Sequence, residues 1–447
     1  MANREQRTDV VVIGAGVSGL IAASTLVPAT DVLVLEAAAR PGGRVESVRH
    51  GDYWVNVGAQ FAEGTGALFE AMDRLDLARV SLADKKAALA LNGRTVAMDS
   101  PAGLVLRSRM SLSARVEFAR FGLRIRRAHK RLVTNKDRDD ARAFRARLDA
   151  RPGSELVSGL KSREVLQLFS DLSGQWIGCE PEETAATQLV FSIGTALEKA
   201  AAVPNFSLPV GGNQTLVDVL AADLGDRLRL SSEVHSVKWS ADGVIVEYTD
   251  ERGPATLHAR RAVIAVPADR ALTMLPGLPE EQRSALGNIE YGRYVIAGFF
   301  TTERGRQPWD EYYTISTPDL GFQAIFNHAA ALRGHGARTP GGALVCFSGG
   351  HRADEQLGWS DAEIEAAYIG DLVGLFPTLK DQIERVVIRR QRRVVPFWRP
   401  GDRASVRALR EPVGPIHFAG DYLLGVPSLA DAAASGKRAA DEVLQQL

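Results

Sequence analysis

Gly14, Gly16 and Gly19 stand at G-x-G-x-x-G spacing near the start of the chain, and that spacing can hold a diphosphate. Gly14 permits the tight turn, Gly16 lets the backbone approach the phosphates, and Gly19 lets a helix pack closely on the preceding strand. The free N–H groups of the helix start then face the anion. Glu36 follows about 20 residues on, where a carboxylate accepts hydrogen bonds from adenosine ribose hydroxyls and repels a 2′-phosphate. Arg40, Gly42, Gly43 and Arg44 extend this to E-x-x-x-R-x-G-G-R, with two glycines for backbone approach and arginines suited to phosphate. A nicotinamide site needs nothing beyond the acidic residue, so the second anion contact points to FAD.

The elements that must position these residues are legible around them. Val10 to Ile13 is a β-branched apolar run, as in a parallel strand buried on both faces. Leu20, Ala22, Ala23 and Leu26 give the next helix its apolar face; Thr30-Asp31 breaks the chain. Val32 to Leu35 then forms a second strand that ends in Glu36. Residues 45 to 61 alternate apolar and polar around Gly51, which predicts a hairpin ending at Gly58, Ala59, Gln60 and Phe61. At the other end, Ile416 to Ala419 reads as a short strand, Gly420-Asp421 as a turn, and Leu429 to Val443 as an alanine-rich helix. Ser428 is its expected N-cap.

Taken together, the two segments resemble the flavin amine oxidase superfamily, which includes monoamine and polyamine oxidases, protoporphyrinogen oxidase and phytoene-desaturase-like enzymes. The resemblance implies that Gly58 to Phe61 run beside the flavin ring and that Val234 touches adenine through its backbone. Asp421, after Gly420, would bind ribityl or ribose hydroxyls. The amides from Ser428 and Leu429 onward would face flavin N1 and O2 and favour the anionic reduced form.

Composition narrows the class. The 447 residues exceed what one core usually organises, so two structural parts are expected. Lys+Arg and Asp+Glu are both 54, which leaves no global field of the kind a nucleic-acid binder carries. Cys179 and Cys346 are too few for a disulfide framework or a thiolate metal site, and a reduced cytoplasmic setting is the default. The lead before Asp9 is polar, and no apolar run approaches the roughly 20 residues that span a bilayer.

The expected fold class is α/β: a Rossmann-type FAD-binding domain with a discontinuous α+β substrate domain of helices and mixed sheet. The FAD-binding domain takes residues 1–70, 205–275 and 391–447; the substrate domain takes 71–204 and 276–390. Residues 62 to 200 read mostly as helices, and Ala262 to Pro267 as a third buried parallel strand returning to the cofactor. A sheet is expected from segments between Val295 and Ser348, with a helix over Asp361 to Leu375. Between Arg107 and Arg131 basic residues interleave with apolar ones, a pattern that suits either an interfacial membrane helix or, preferred here, a domain helix with a solvated face.

Flavin oxidation needs mainly a dry, shaped pocket, and a side-chain base is optional. In keeping with that, the sequence shows no G-x-S-x-G nucleophile turn and its eight histidines form no metal-ligand pattern. Monoamine oxidases carry a lysine near flavin N5 and two framing tyrosines. The matching positions here are Ile296 or Ala297, then Val394 and Ser428. Trp398 and Phe397 are the candidate aromatic walls, and Gln60 a further pocket residue. No cysteine lies near that point, so FAD is expected to be non-covalent. The expected reaction is hydride transfer from a C–N or C–C bond of a small organic substrate to flavin N5, with oxygen as the reoxidant. A desaturase-like or protoporphyrinogen-oxidase-like dehydrogenase and a flavin-dependent isomerase are the alternatives. The chain is expected to act as a monomer or homodimer.

Overall fold

The computed structural model describes all residues except 1–3, 61, 64–65, 108–109, 135–137, 200–205, 334–337 and 425–426. Its first sheet is organised around the strand Gly253–Ile264. Residues 254 to 259 of that strand belong to an antiparallel meander with Gly243–Asp250 and Glu233–Ser240. Residues 255 to 264 run parallel to Arg4–Ile13 on one side, while 262 to 264 pair with Ile416–Phe418 on the other. Arg4–Ile13 pairs in turn with Val32–Leu35, and that strand with Leu228–Arg229. The apolar runs Val10 to Ile13 and Val32 to Leu35 are buried throughout, as strands covered on both faces must be.

Two helices from opposite ends of the chain cover this parallel half. Val17–Leu26 follows the glycine turn, and Leu429–Leu444 packs along it. A Cβ at Gly436 would stand 2.1 Å from the Ser18 carbonyl oxygen, so only glycine permits this approach. Gly19 plays the corresponding part against the preceding turn, where a Cβ would meet the Gly14 carbonyl oxygen at 1.9 Å.

The second sheet runs Ile383–Gln391, Tyr294–Thr301, Gly342–Gly349, Ala324–Asn327, Tyr312–Ser316, Lys86–Leu91 and Arg94–Ala97. It is mixed, because Tyr312–Ser316 pairs in parallel with Lys86–Leu91 while its other pairings are antiparallel. The hairpin Lys86–Leu91/Arg94–Ala97 falls in the stretch read as mostly helical from sequence. KAALAL has helical propensity, yet Asn92-Gly93 between the strands adopts positive φ at both residues, which is a hairpin turn.

The basic segment is the helix Leu112–Val133. One face is buried through Phe118, Phe121, Ile125 and Leu132, with Phe121 and Phe169 rings 4.3 Å apart. Its outward face carries arginines together with Leu112, Val116 and Leu123. No described helix is long and apolar enough to cross a membrane.

Candidate functional site

A cavity of about 1140 Å³ reaches from the glycine turn of the first sheet to the second sheet. At its near end the Gly14 N–H donates to the Leu35 carbonyl at 2.8 Å, and Gly14 takes φ 102° with its missing Cβ 2.6 Å from the Ala265 carbonyl oxygen. Gly16 has nothing within 4 Å of where a Cβ would be, so its backbone faces open space. The second glycine turn lies against the first: Gly42 N–H donates to the Ala15 carbonyl at 2.8 Å, and a Cβ on Gly43 would fall 3.6 Å from Gly16 Cα. Backbone amides and open space thus meet at one place, the cradle a diphosphate needs. The described residues fit FAD here.

Glu36 lies beside this cradle. Its carboxylate accepts the Ala15 N–H at 2.6 Å and the Ala38 N–H at 2.9 Å. Val234 lines the cavity further along, with Ser232, Glu233 and His235 around it.

Arg44 and Asp421 are expected to hold different parts of the ligand, phosphate and sugar hydroxyls. The structure instead joins them to each other. The Arg44 guanidinium donates to both carboxylate oxygens of Asp421, at 2.9 and 2.7 Å, and also to the Val394 carbonyl. Burial alone would depress the Arg44 charge, but the facing Asp421 more than offsets it and raises the pKa. Both residues still line the cavity, so the pair forms one charged wall.

Arg40 is placed differently from the sequence expectation. Its guanidinium donates to the carbonyls of Pro41, Gly43 and Val45, and it shapes the second glycine turn without lining the cavity. Gly58 and Ala59 do line it; a Cβ on Gly58 would meet the Arg44 carbonyl oxygen at 2.2 Å. The Gln60 side chain folds back onto its own loop, donating to the Asn56 and Gly58 carbonyls at 3.0 and 2.7 Å. Phe61 lies outside the described residues. The C-terminal anchor completes the wall. Gly420 N–H donates to Ser435 Oγ at 2.8 Å, and Ser428 Oγ caps its helix by accepting the Asp431 N–H at 3.1 Å. Gly420, Asp421, Ser428 and Leu429 all border the cavity.

Trp398 and Phe397 do not border it. They sit in the strand Pro396–Trp398, which pairs with Ile289–Tyr291, and each is 1 % exposed. Trp398 packs in the core of the first sheet, while Phe397 meets Ile177 and Cys179. The wall is made by Val394 and Val395, two to four residues earlier, in the loop between the strands Ile383–Gln391 and Pro396–Trp398, where the Val394 N–H donates to the Gly292 carbonyl at 2.9 Å. Strand alternation likewise decides between Ile296 and Ala297: Ile296 lines the cavity, and Ala297 joins the opposite face of the sheet with Cys346. Neither cysteine borders the cavity.

The far end of the chamber is built by residues that sequence reasoning missed. Tyr294, Phe326 and Phe347 come from the second sheet; Trp176 and Phe191 come from helices. The helix Ala186–Lys199 held a signal for its own part. Gln188, Ser192 and Thr195 recur at helical spacing and line the cavity, opposite Leu189, Val190 and Ile193 in the core.

The family model for flavin containing amine oxidoreductases matches residues 17–444. The chain belongs to this family. A putrescine oxidase of Kocuria rosea is 25% identical over 98% of this chain and 95% of its own length. Two solved structures share the fold: putrescine oxidase bound to putrescine, with TM-score 0.81 and 21% identity over 99% of this chain and 100% of that one, and cyclohexylamine oxidase from Brevibacterium oxydans, with TM-score 0.81 and 21% identity over 98% and 99%. Membership makes the chain an FAD-dependent oxidoreductase of the amine oxidase type, with the α/β architecture expected from its glycines.

Proposed function

We propose that this oxidoreductase holds FAD without a covalent bond and oxidises a C–N bond of a small organic amine, with oxygen as final electron acceptor. One observation carries the reading: the phosphate cradle, the Arg44–Asp421 wall and the aromatic chamber belong to a single continuous cavity. When bound, FAD supplies a two-electron acceptor that oxygen can reoxidise. The amides near Gly16 and Gly43 hold the diphosphate, Glu36 takes the adenosine ribose, and Val234 borders adenine. Arg44 and Asp421, as a pair, present a guanidinium and a carboxylate edge to the sugar and phosphate portion. Helix amides beyond Ser428 stabilise negative charge at their end of the site. Ile296, Val394 and Val395 exclude water from the reacting end, so a neutral amine enters with its lone pair free of solvent hydrogen bonds.

In the same proposal residues 1–70, 205–275 and 391–447 form the cofactor domain, 71–204 and 276–390 form the substrate domain, and the protein works in the cytoplasm. Two buried free thiols support the last point. The test is direct. Purified protein should carry yellow flavin released by acid precipitation, bleach anaerobically on adding a substrate amine, and form hydrogen peroxide in air. Flavin that stays on the precipitate would overturn the non-covalent reading, and bleaching by no amine would overturn the substrate class.

A further inference from the structure

The substrate end of the cavity has two chemically different sides. One is the apolar wall of Tyr294, Ile296, Phe326 and Phe347. Facing the same space are Gln175, Gln188, Ser192, Thr195 and His129, contributed by three helices. Gln175, Gln188 and Ser192 are each more than nine-tenths buried, yet all three border open space. Buried polar groups at a cavity surface cost free energy unless water or a ligand satisfies them.

Their hydrogen-bonding capacity is only partly used. The Ser192 hydroxyl donates to the Gln188 carbonyl at 3.1 Å, which leaves its oxygen lone pairs as acceptors. The Gln188 amide donates one N–H to the Pro396 carbonyl at 3.0 Å and accepts the Thr184 hydroxyl at 3.2 Å, leaving a second N–H. Thr195 Oγ1 stands 3.5 Å from His129 Nε2, a long contact that a better partner can replace. This side is also uncharged in its carboxylates. Among the described residues bordering the cavity, the carboxylates are Glu36, which accepts the Ala15 and Ala38 amides, Glu233, beside Val234, and Asp421, already paired with Arg44. A second ammonium on the substrate would therefore lose its hydration without gaining a counter-ion.

We infer that the preferred substrate is an apolar, ring-bearing monoamine carrying a neutral hydrogen-bonding substituent such as a hydroxyl, which Gln188, Ser192 and Thr195 recognise, and not a diamine. The inference rests on the amine oxidase reading above.

The test uses the flavin-loaded enzyme and three probes: cyclohexylamine, trans-4-aminocyclohexanol and 1,4-diaminobutane. Apparent Kd comes from the perturbed flavin spectrum and reduction rate from anaerobic stopped flow. The hydroxylated ring should be favoured over the plain ring by about tenfold, since a site built to bond a hydroxyl discriminates against its absence. Thr195→Val should bring that ratio close to one, and Ser192→Ala provides an independent variant should the first fold poorly. A ratio near one in the wild type, a ratio unmoved by both substitutions, or tighter binding of the diamine each overturns the inference while leaving amine oxidation intact. No flavin reduction by any of the three removes the amine oxidase reading together with this one.

Discussion

The Arg44 guanidinium clasps both carboxylate oxygens of Asp421, although 377 residues separate them along the chain. The contact joins the N-terminal glycine turns to the C-terminal anchor, and its third hydrogen bond holds the loop that carries Val394. Removing one partner leaves the other charge uncompensated. Arg44→Leu should cost about 2–3 kcal/mol, less than a fully buried pair because Arg44 is about a third exposed to the cavity. Arg44→Leu combined with Asp421→Leu should cost less than the sum of the single changes. Urea unfolding of the four proteins measures the coupling, and strict additivity would show that the pair contributes nothing as a pair.

Glu36→Arg should weaken FAD binding at least tenfold. The substitution removes a ribose acceptor and also deprives the Ala15 and Ala38 amides of theirs. Equilibrium dialysis of the apoprotein with FAD gives the affinity directly; wild-type affinity in the variant would remove Glu36 from the ribose site.

The aromatic pair expected in the pocket calls for the opposite experiment from the one its sequence position suggests. Trp398→Ala should destabilise the protein by about 3–5 kcal/mol, because it empties a core site that is 1 % exposed. Val394→Phe should instead shift kcat/KM for amines while leaving the melting temperature within a few degrees. Steady-state kinetics and thermal melts on both variants separate the roles, and a kinetic effect confined to Trp398→Ala would return Trp398 to the pocket.

Gly436→Ala and Gly370→Ala should act in opposite directions. A Cβ at Gly436 meets a backbone carbonyl oxygen and must push two helices apart, costing about 1–3 kcal/mol. At Gly370, within the helix Asp361–Leu375, nothing lies within 4 Å, so alanine should gain about 0.5–1 kcal/mol of helix propensity. Denaturation midpoints decide; a stabilised Gly436→Ala protein would mean that the helices are not locked at that contact.

Acid sensitivity should come in part from His328. Its burial pushes the pKa down from 6.5 to about 3, so between those values the unfolded chain binds a proton that the folded chain refuses. Stability must fall as pH drops through that window, by up to about 1.4 kcal/mol per pH unit from this group. Asp171 works the other way: burial, against the attraction of Arg352, raises it from 3.8 to about 6, and between those values acid favours its folded form. His328→Gln should therefore flatten the net loss between pH 6.5 and pH 5. An equal fall in urea midpoint for wild type and variant would clear His328 of the effect.

Sequence carried the cofactor end of the molecule further than the substrate end, for a physical reason. Gly14, Gly16, Glu36 and Gly43 act through local backbone geometry, which a short segment encodes almost completely. Ser428 is legible for the same reason, as its cap needs only the three residues after it. The chamber is assembled from separate elements. Phe326 and Phe347 meet it from neighbouring strands and Trp176 from a helix, and no local spacing links them. The misplaced aromatic wall shows the limit within one segment: Val394 and Trp398 are four positions apart, and only the pairing of 396–398 with 289–291 decides which faces the cavity. The hairpin over 86–97 has only the Asn92-Gly93 turn as a local signal, and its place in the second sheet is set by parallel pairing with the distant strand Tyr312–Ser316.

The close contact of Ser18 with Gly436 has a consequence for biosynthesis. The helix Val17–Leu26 is translated long before its partner Leu429–Leu444, and Asp421 reaches Arg44 only after the intervening chain has been made. A nascent chain therefore presents half a binding surface until residues 416 to 444 have been made. A polypeptide terminated before Gly420 lacks the wall that Asp421, Ser428 and Leu429 supply to the cavity, and it should hold flavin less tightly however well its glycine turn has folded.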